Sequence, residues 1–553
     1  MPDANNAATT VSHVDQAVIT RALLAGAHEM GVKLIRSAHS PIVREAQDCS
    51  AALLDRRGNV VAQAELIALQ LGSISHTFRP CLAHYALDEI GPDDFFINND
   101  PYHGGQHLPD IFIFTPVFFE ETLIGFSATV VHHIDLGGGA PGLNPTAGDI
   151  HQEGLVFPPT KYSFSRDWNG GALERFIASN VRMPDATIGD LNAQFAANAI
   201  GAERMRDLCR KFGADTLDAA MDEMLDYAER RIRSAIRAVP DGIYEGEAMM
   251  DDDGIGEAPV RIKAKLTIAG DGIEVDFAGT DPQVKTNMNN PFASTEAAAV
   301  ACLKSVLTDP DVPINDGSTR AIKVTAPKGS ILNPNPPAPV RARLLPSYRV
   351  FNAVMLALAE VVPDRVIAPG YDTTTAACLS EFSEGGYNIY LEIFGGGYGG
   401  GRDSDGCDGV DCALSNCSNI PLEAMELDYG FFRVENYALI PDSGGRGRHR
   451  GGLGFEKSYR ILRDGVSFAT YGDRFRIAAE GLFGGGPGRP AENLIERDGE
   501  IIPVGSKAGV ALRKGDLLIM RTGGGGGYGP AGERDARLVE RDAAEGLTTE
   551  AAE

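Results

Sequence analysis

Asn98-Asn-Asp-Pro-Tyr-His-Gly-Gly-Gln-His-Leu-Pro-Asp110 is the stretch on which the reading of this chain turns. It follows the apolar Phe95-Phe96-Ile97 and runs into Ile111-Phe-Ile-Phe-Thr-Pro-Val-Phe-Phe119, so it reads as a loop leading into a strand. Asp100-Pro101 sets a turn, and Gly104-Gly105 lets the backbone fold sharply. His107 and Asp110 stand three apart across Leu108-Pro109. An imidazole nitrogen and a carboxylate oxygen on one short loop can bind one borderline divalent cation. Leu123-Ile-Gly-Phe-Ser-Ala-Thr-Val-Val131 reads as the strand paired with 111–119 around Glu120-Glu121, which brings His132-His133-Ile134-Asp135 and Gly137–Gly139 back beside the loop. Neighbouring strand residues face opposite ways, so only one of His132 and His133 faces a cation while the other bonds elsewhere. The sequence does not choose between them.

The histidine distribution points to the same region. Of 11 histidines, seven lie between residues 76 and 151. Imidazole is the commonest metal ligand and acid–base group, which places the site in the N-terminal third. On this chemistry alone three readings stand: a metal centre, a structural hydrogen-bond network, and a metal-free acid–base site.

Composition narrows the class. The chain has 553 residues, about three domains' worth. Lys and Arg number 50 against 76 Asp and Glu, a net charge of −26. Nucleic-acid binding is not expected, because phosphate neutralisation needs a basic stripe. The first residues carry no basic or apolar leader pattern, and no run of 18 apolar residues exists, so a cytoplasmic enzyme without a membrane span is expected. The eight cysteines are expected to be reduced. Cys407, Cys412 and Cys417 are spaced five apart, unlike a zinc ribbon, and read as small buried apolar residues.

The expected fold is mixed α and β and multi-domain. It comprises an α/β metal-binding catalytic region at 1–240, a central α+β domain at 241–384, and a β-rich, glycine-rich part at 385–553 ending in a helical or loose tail. Residues 1–12 read as a frayed arm. Helices are expected at 14–38, 76–90, 186–238, 294–307 and 348–361, and a hairpin at 50–62. A strand meander is expected over 243–250, 258–268 and 272–277, and a further strand at 321–326. Asn333-Pro-Asn-Pro-Pro-Ala-Pro339 reads as extended and stiff. Gly395–Gly401 and Gly523–Gly527 read as tight turns or interface packing, with a backbone phosphate cradle as the alternative. Asn416, Asn419 and Glu423 line a site or satisfy a buried turn, and the second reading is preferred.

A wider series of blocks carries a resemblance. Asn99-Asp-Pro-Tyr-x-Gly-Gly-x-His-Leu-Pro-Asp110, His132-His-x-Asp-x-Gly-Gly138, Gln152-Glu-Gly154 and Gly189-Asp-Leu-x-Ala-x-Ala196 resemble the hydantoinase B family. So do Asp276-Phe-x-Gly-Thr280, Asn416-x-x-Asn-x-Pro-x-Glu423, Asp442-Ser-Gly-Gly-x-Gly-x-x-Arg-Gly-Gly-x-Gly454, Asp473-Arg474, Gly481-Leu-x-Gly-Gly485 and Gly523–Gly529. Gln106 stands where many relatives are expected to carry Thr. The family supplies one subunit of ATP-dependent hydantoinases, oxoprolinases and lactamases, and of acetone and acetophenone carboxylases.

The resemblance implies one divalent metal, Mn²⁺ or Zn²⁺, held by Asp48, His107, Asp110 and a histidine of the His132/His133 pair. It implies a separate hydantoinase A-type partner that uses ATP to phosphorylate the carbonyl of a cyclic amide, with the two chains forming a heterotetramer. The phosphorylated imidate would pass to this chain for ring opening. His103, His133 or Asp135 would act as general base or proton donor. Two alternatives accompany this reading: a subunit of an ATP-dependent ketone carboxylase, and a non-catalytic structural subunit.

Overall fold

The computed structural model describes residues 11–549. The first region contains helices α1 (His13–Ser37), α2 (Pro41–Arg44), α3 (Ala68–Leu71), α4 (Ile74–His84), α5 (Phe164–Asp167), α6 (Ala172–Asn180), α7 (Pro184–Phe212) and α8 (Ala214–Arg237). Its strands are β1 (Cys49–Leu54), β2 (Val60–Gln63), β3 (Asp94–Asn98), β4 (Asp110–Phe119), β5 (Thr122–His132) and β6 (Thr160–Ser163). They form one antiparallel sheet in the order β2-β1-β5-β4-β3-β6. Both faces are covered, so β4 and β5 are almost continuously apolar instead of alternating. One face stacks Phe96, Phe112, Phe114 and Phe126 against Phe78 of α4. The other receives α7, which packs on β4 and β5 and carries α1 alongside.

The hairpin, the paired strands and the first helix lie where the sequence places them. Two helix expectations and the reading of the proline segment change. The long helix over 186–238 is two helices, broken at Gly213, whose φ of +86° is a left-handed conformation that a side chain disfavours. The helix expected over 76–90 ends at His84, where Tyr85 turns to extended backbone. The proline segment 333–339 bends: Ala338 N–H donates to Asn335 O at 3.1 Å. The expected N-terminal arm lies outside the described residues apart from Val11 and Ser12, and Ser12 caps α1.

The central region has strands β7 (Gly242–Met250), β8 (Val260–Ala269), β9 (Gly272–Asp276) and β10 (Ile322–Thr325), with α9 (Phe292–Leu307) and α10 (Leu344–Ala359). β7, β8 and β9 meander, and β10 joins β9 in parallel after the excursion through α9. α10 lies on β7 and β8, and Gly246 leaves room for it: a Cβ there would sit 2.0 Å from Ala353 O.

The last region holds β11 (Thr375–Ser383), β12 (Gly386–Phe394), α11 (Leu422–Asp428), β13 (Phe432–Leu439), β14 (Phe455–Ile461), β15 (Val466–Tyr471), β16 (Glu492–Arg497), β17 (Glu500–Val504), β18 (Lys507–Leu512), β19 (Leu517–Arg521) and α12 (Ala536–Ala544). Two sheets, β12-β11-β15-β18 and β13-β14-β19-β16-β17, interleave along the chain. The glycine runs are neither turns nor a phosphate cradle. Successive N–H groups of Gly524, Gly525, Gly526, Gly527 and Tyr528 donate to Arg489, Gly452, Pro369, Gly486 and His449 carbonyls at 2.8–3.0 Å. The partner segment repeats every third residue, the period of an extended polyproline-type strand. Gly523–Tyr528 is thus the axis of a bundle whose amides are spent on neighbouring backbone.

Candidate metal centre

Three strand ends build the site. Asp110 opens β4 and His132 closes β5, and the two are register partners. Asp48 precedes β1, whose Cys49 pairs with Val131, and Asp48 O accepts from His132 N–H at 3.1 Å. His107 is brought in by the turn in which Asp110 N–H donates to His107 O at 3.1 Å. The loop is fixed by its asparagines. Asn98 Nδ2 donates to Thr77 O and His103 O, and Asn99 Nδ2 donates to Leu108 O and Leu155 O, all at 2.7–3.0 Å. Gly104 has a φ of +92°, and a Cβ there would lie 2.1 Å from His76 O, so no side chain fits the crossing.

The four side chains converge. His107 Nε2 is 3.2 Å from Asp110 Oδ1, and His132 Nδ1 is 3.4 Å from the same oxygen and 3.6 Å from Asp48 Oδ2. The ligand atoms of His107, Asp110 and His132 all lie within 4.8 Å of one another. All four residues are buried. Asp48, His107 and His132, with Ser415, Tyr471 and Arg343, line a cavity of about 10 Å³, the size of a single water or ion. Across α3 lies a cleft of about 540 Å³: Ile67 and Leu69 line the small cavity, and Leu66, Ala68 and Leu71 line the cleft.

Several features fit a cation. His107 Nε2 and His132 Nε2 are buried without a hydrogen-bond partner. His107 Nδ1 lies 3.0 Å from Arg341 O and 3.1 Å from Arg343 Nη1; a proton on Nδ1 given to the carbonyl would leave Nε2 its lone pair, the usual second contact of a metal-binding histidine. Burial holds His107 down to about 3 and His132 down to about 4, so both are neutral at pH 7. The carboxyls split. Burial and the neighbouring Asp110 raise Asp48 well above its usual range. Burial acts upward on Asp110 too, but its polar neighbours, with the Arg343 guanidinium the fixed charge among them, outweigh it and hold it well below. Two carboxyls this close keep one proton between them unless a cation relieves the repulsion.

The surrounding shell was not readable in the sequence. Arg343 donates to Asp110 Oδ2 at 2.6 Å and to Gln106 Oε1 at 3.0 Å, and Gln106 Nε2 ties to Leu69 O. Gln70 Nε2 donates to Asp48 Oδ1 at 2.8 Å. Glu153 accepts from Val340 and Arg341 N–H, positioning the backbone that carries Arg341 O and Arg343. The one sequence signal for it is a pair of arginines, Arg341 and Arg343, in the otherwise apolar run ahead of α10.

The remaining sequence candidates stand apart. His133 faces α7, with Nε2 3.2 Å from Gln194 Oε1, because it follows His132 onto the opposite face. Its place in the ligand set is therefore withdrawn. Asp135 is consumed structurally: it pairs with Arg182 at 3.0 Å and accepts from the N–H groups of Arg182, Gly137 and Gly142. His103 pairs with Asp100 at 2.8 Å and is half exposed, on the wall of a different cleft. Asn416, Asn419 and Glu423 are exposed, and none lines the cavity.

Comparison with known proteins agrees with this architecture. The family model Hydantoinase B/oxoprolinase matches residues 12–531. The provisionally named B chain of a D-/L-hydantoinase from Pseudomonas is 35% identical, over 94% of this chain and 90% of its own. The crystal structure of the ATP-dependent caprolactamase from Pseudomonas jessenii superposes with a TM-score of 0.89 at 27% identity, covering 98% of this chain and 95% of that one. A nucleotide-free acetone carboxylase shares the fold, with a TM-score of 0.86 at 18% identity over 97% of this chain and 78% of that one. The chain belongs to the hydantoinase B/oxoprolinase family.

Proposed function

We propose that this chain is the metal-dependent half of a two-component, ATP-dependent amidohydrolase that opens a cyclic amide, a hydantoin, oxoproline or lactam. The single observation that carries the reading is the buried meeting of His107 Nε2, Asp110 Oδ1 and His132 Nδ1, with Asp48 Oδ2 3.6 Å from that His132 nitrogen. These four residues would hold one divalent ion, Mn²⁺ or Zn²⁺ by their mixed nitrogen and oxygen donors. Such an ion, when bound, supplies Lewis acidity and lowers the pKa of water.

The chain's own groups do the rest. Arg343 fixes Asp110 and lines the cavity, and its positive charge would favour the negative oxygen of an activated carbonyl there. The closed walls exclude bulk water, so an activated substrate is not lost before it is positioned. A ring does not fit 10 Å³, and we place its approach at the cleft across α3. Activation of the carbonyl by phosphorylation is assigned in this reading to an A-type partner; that a partner exists is supported by relatives whose names make them the B or beta component of a larger enzyme.

The test is reconstitution with that partner and ATP, scanning hydantoins, 5-oxoproline and lactams. Ring opening is expected, lost in His107→Ala. Bicarbonate-dependent carboxylation of a ketone instead would move the chain to the carboxylase reading. Full activity of His107→Ala would leave it a structural subunit.

A further inference from the structure

Ser415 lines the cavity beside Asp48, His107 and His132. Its hydroxyl donates to Asp411 Oδ2 in a short bond. The Tyr348 hydroxyl of α10 lies 2.9 Å from Ser415 Oγ, and Thr374 Oγ1 donates to the same Tyr348 oxygen at 3.1 Å. Ser415 has one hydroxyl proton and Asp411 takes it, so Tyr348 donates to Ser415. The three hydroxyls therefore run in one direction and end on Asp411.

Asp411 is unusual among the buried carboxylates. Cys417 N–H donates to Oδ2 at 2.6 Å, Oδ1 is buried without a partner, and among the described residues Asp411 forms no ion pair with Lys or Arg. The groups whose charge reaches it are Tyr348, Tyr398, Cys412, Cys417 and, across the cavity, Asp48; Arg343 lines the same cavity, with its guanidinium held by Asp110, Gln106 and His107. Burial raises its carboxyl to about 6 against the pull of Ser415 and the backbone donors. A hydroxyl acceptor alone would be met by an amide without the desolvation cost of a carboxylate.

We propose that Ser415 and Asp411 are the proton-transfer pair of the cavity, Ser415 touching the reacting molecule and Asp411 acting through it. In the step, which requires the walls to part from the closed 10 Å³ so that water and carbonyl reach Ser415, a water gives a proton to Ser415 Oγ while Ser415 passes its own to Asp411 Oδ2. Ser415 stays neutral, Asp411 becomes the neutral acid, and the freed electron pair of the water forms the bond to the carbonyl carbon. For a phosphorylated imidate, the carbon–nitrogen π pair moves to the ring nitrogen, which takes the proton back along the same path. The chemical step rests on the amidohydrolase reading; the pair itself does not.

The experiment uses the full chain, metal-loaded, with ¹³C-labelled aspartate. Wild type is expected to show a carboxylic C=O infrared band titrating near pH 6, absent from Asp411→Asn and moved to higher pH in Ser415→Ala, with metal content unchanged in both. With partner, ATP and cyclic amide, Asp411→Asn is expected to lose about 10²–10⁴-fold in kcat and the acid limb of its pH profile, and Asp411→Glu to recover part of it. No such band between pH 4 and 8, or an Asp411→Asn enzyme with the wild-type profile, overturns the pair. If Asp411→Asn misfolds, the Ser415→Ala band shift decides. A wild type that turns over no cyclic amide, yet shows the band and its shift, removes the substrate reading and leaves the pair standing.

Discussion

His132 and His133 are adjacent in sequence and divided in role by the pleat. His132 turns to Asp48 and Asp110, His133 to Gln194. His133→Ala is accordingly expected to retain the metal and to lose about 1–3 kcal/mol of stability, measured by denaturant unfolding alongside metal content. The opposite pattern, metal lost and stability kept, would return His133 to the site. The ligand types and the loop that brings them were legible because the chemistry is local: His107 and Asp110 share one turn, and His132 closes the paired strand. Arg343 was not, because a side chain arriving from 233 residues away leaves no mark near its target, and neither was Gln70, a single amide 22 residues from Asp48 with no pattern around it. Glu153 gives a pH signature. Burial raises its carboxyl to about 7, so the folded chain holds a proton there that the unfolded chain has released. The stabilisation is complete below the unfolded value near 4.5 and is lost as pH rises through about 7. Wild type is expected to lose up to about 3 kcal/mol across that window, and Glu153→Gln to remove the slope.

Among the elements, the glycine axis is the part that sequence periodicity did not reveal. Gly-Gly-Gly looks the same in a turn and in an extended strand with threefold neighbours, and only the partners distinguish them. A Cβ at Gly525 would lie 1.9 Å from Tyr398 O, and one at Gly526 would lie 1.9 Å from Glu480 O. Both obstacles are backbone and cannot rotate away. Gly525→Ala is expected to cost about 3 kcal/mol or more and to depress expression of soluble protein, whereas Gly505→Ala, with nothing within 4 Å, is expected to be near neutral. Equal thermal midpoints for the two variants would contradict the bundle. The strands and helices with strong period or clear caps fell where expected. The helix break at Gly213 and the bend at 335–338 did not, since each is set by one residue's backbone and not by a pattern.

Over the whole molecule, the site draws on every region. Asp48, His107, Asp110 and His132 come from the first region, Arg343 from the lead-in to α10, and Ser415 and Tyr471 from the last part. One continuous core runs through all of them, which explains how a candidate metal site near the N-terminus acquires its shell from residues up to Tyr471. Among the described residues no helix is long and apolar enough to cross a membrane. If an A-type chain completes the enzyme, mixing the two is expected to give a single larger species in mass photometry, a heterotetramer in our proposal, and turnover only in the mixture with ATP. Everything proposed for this chain hangs on the metal centre, and elemental analysis of the chelator-washed chain beside His107→Ala puts that centre to the test. About one Mn or Zn per wild-type chain is expected, with a large loss in the variant. A folded wild type free of metal, or a His107→Ala variant that binds it equally well, would contradict the assignment.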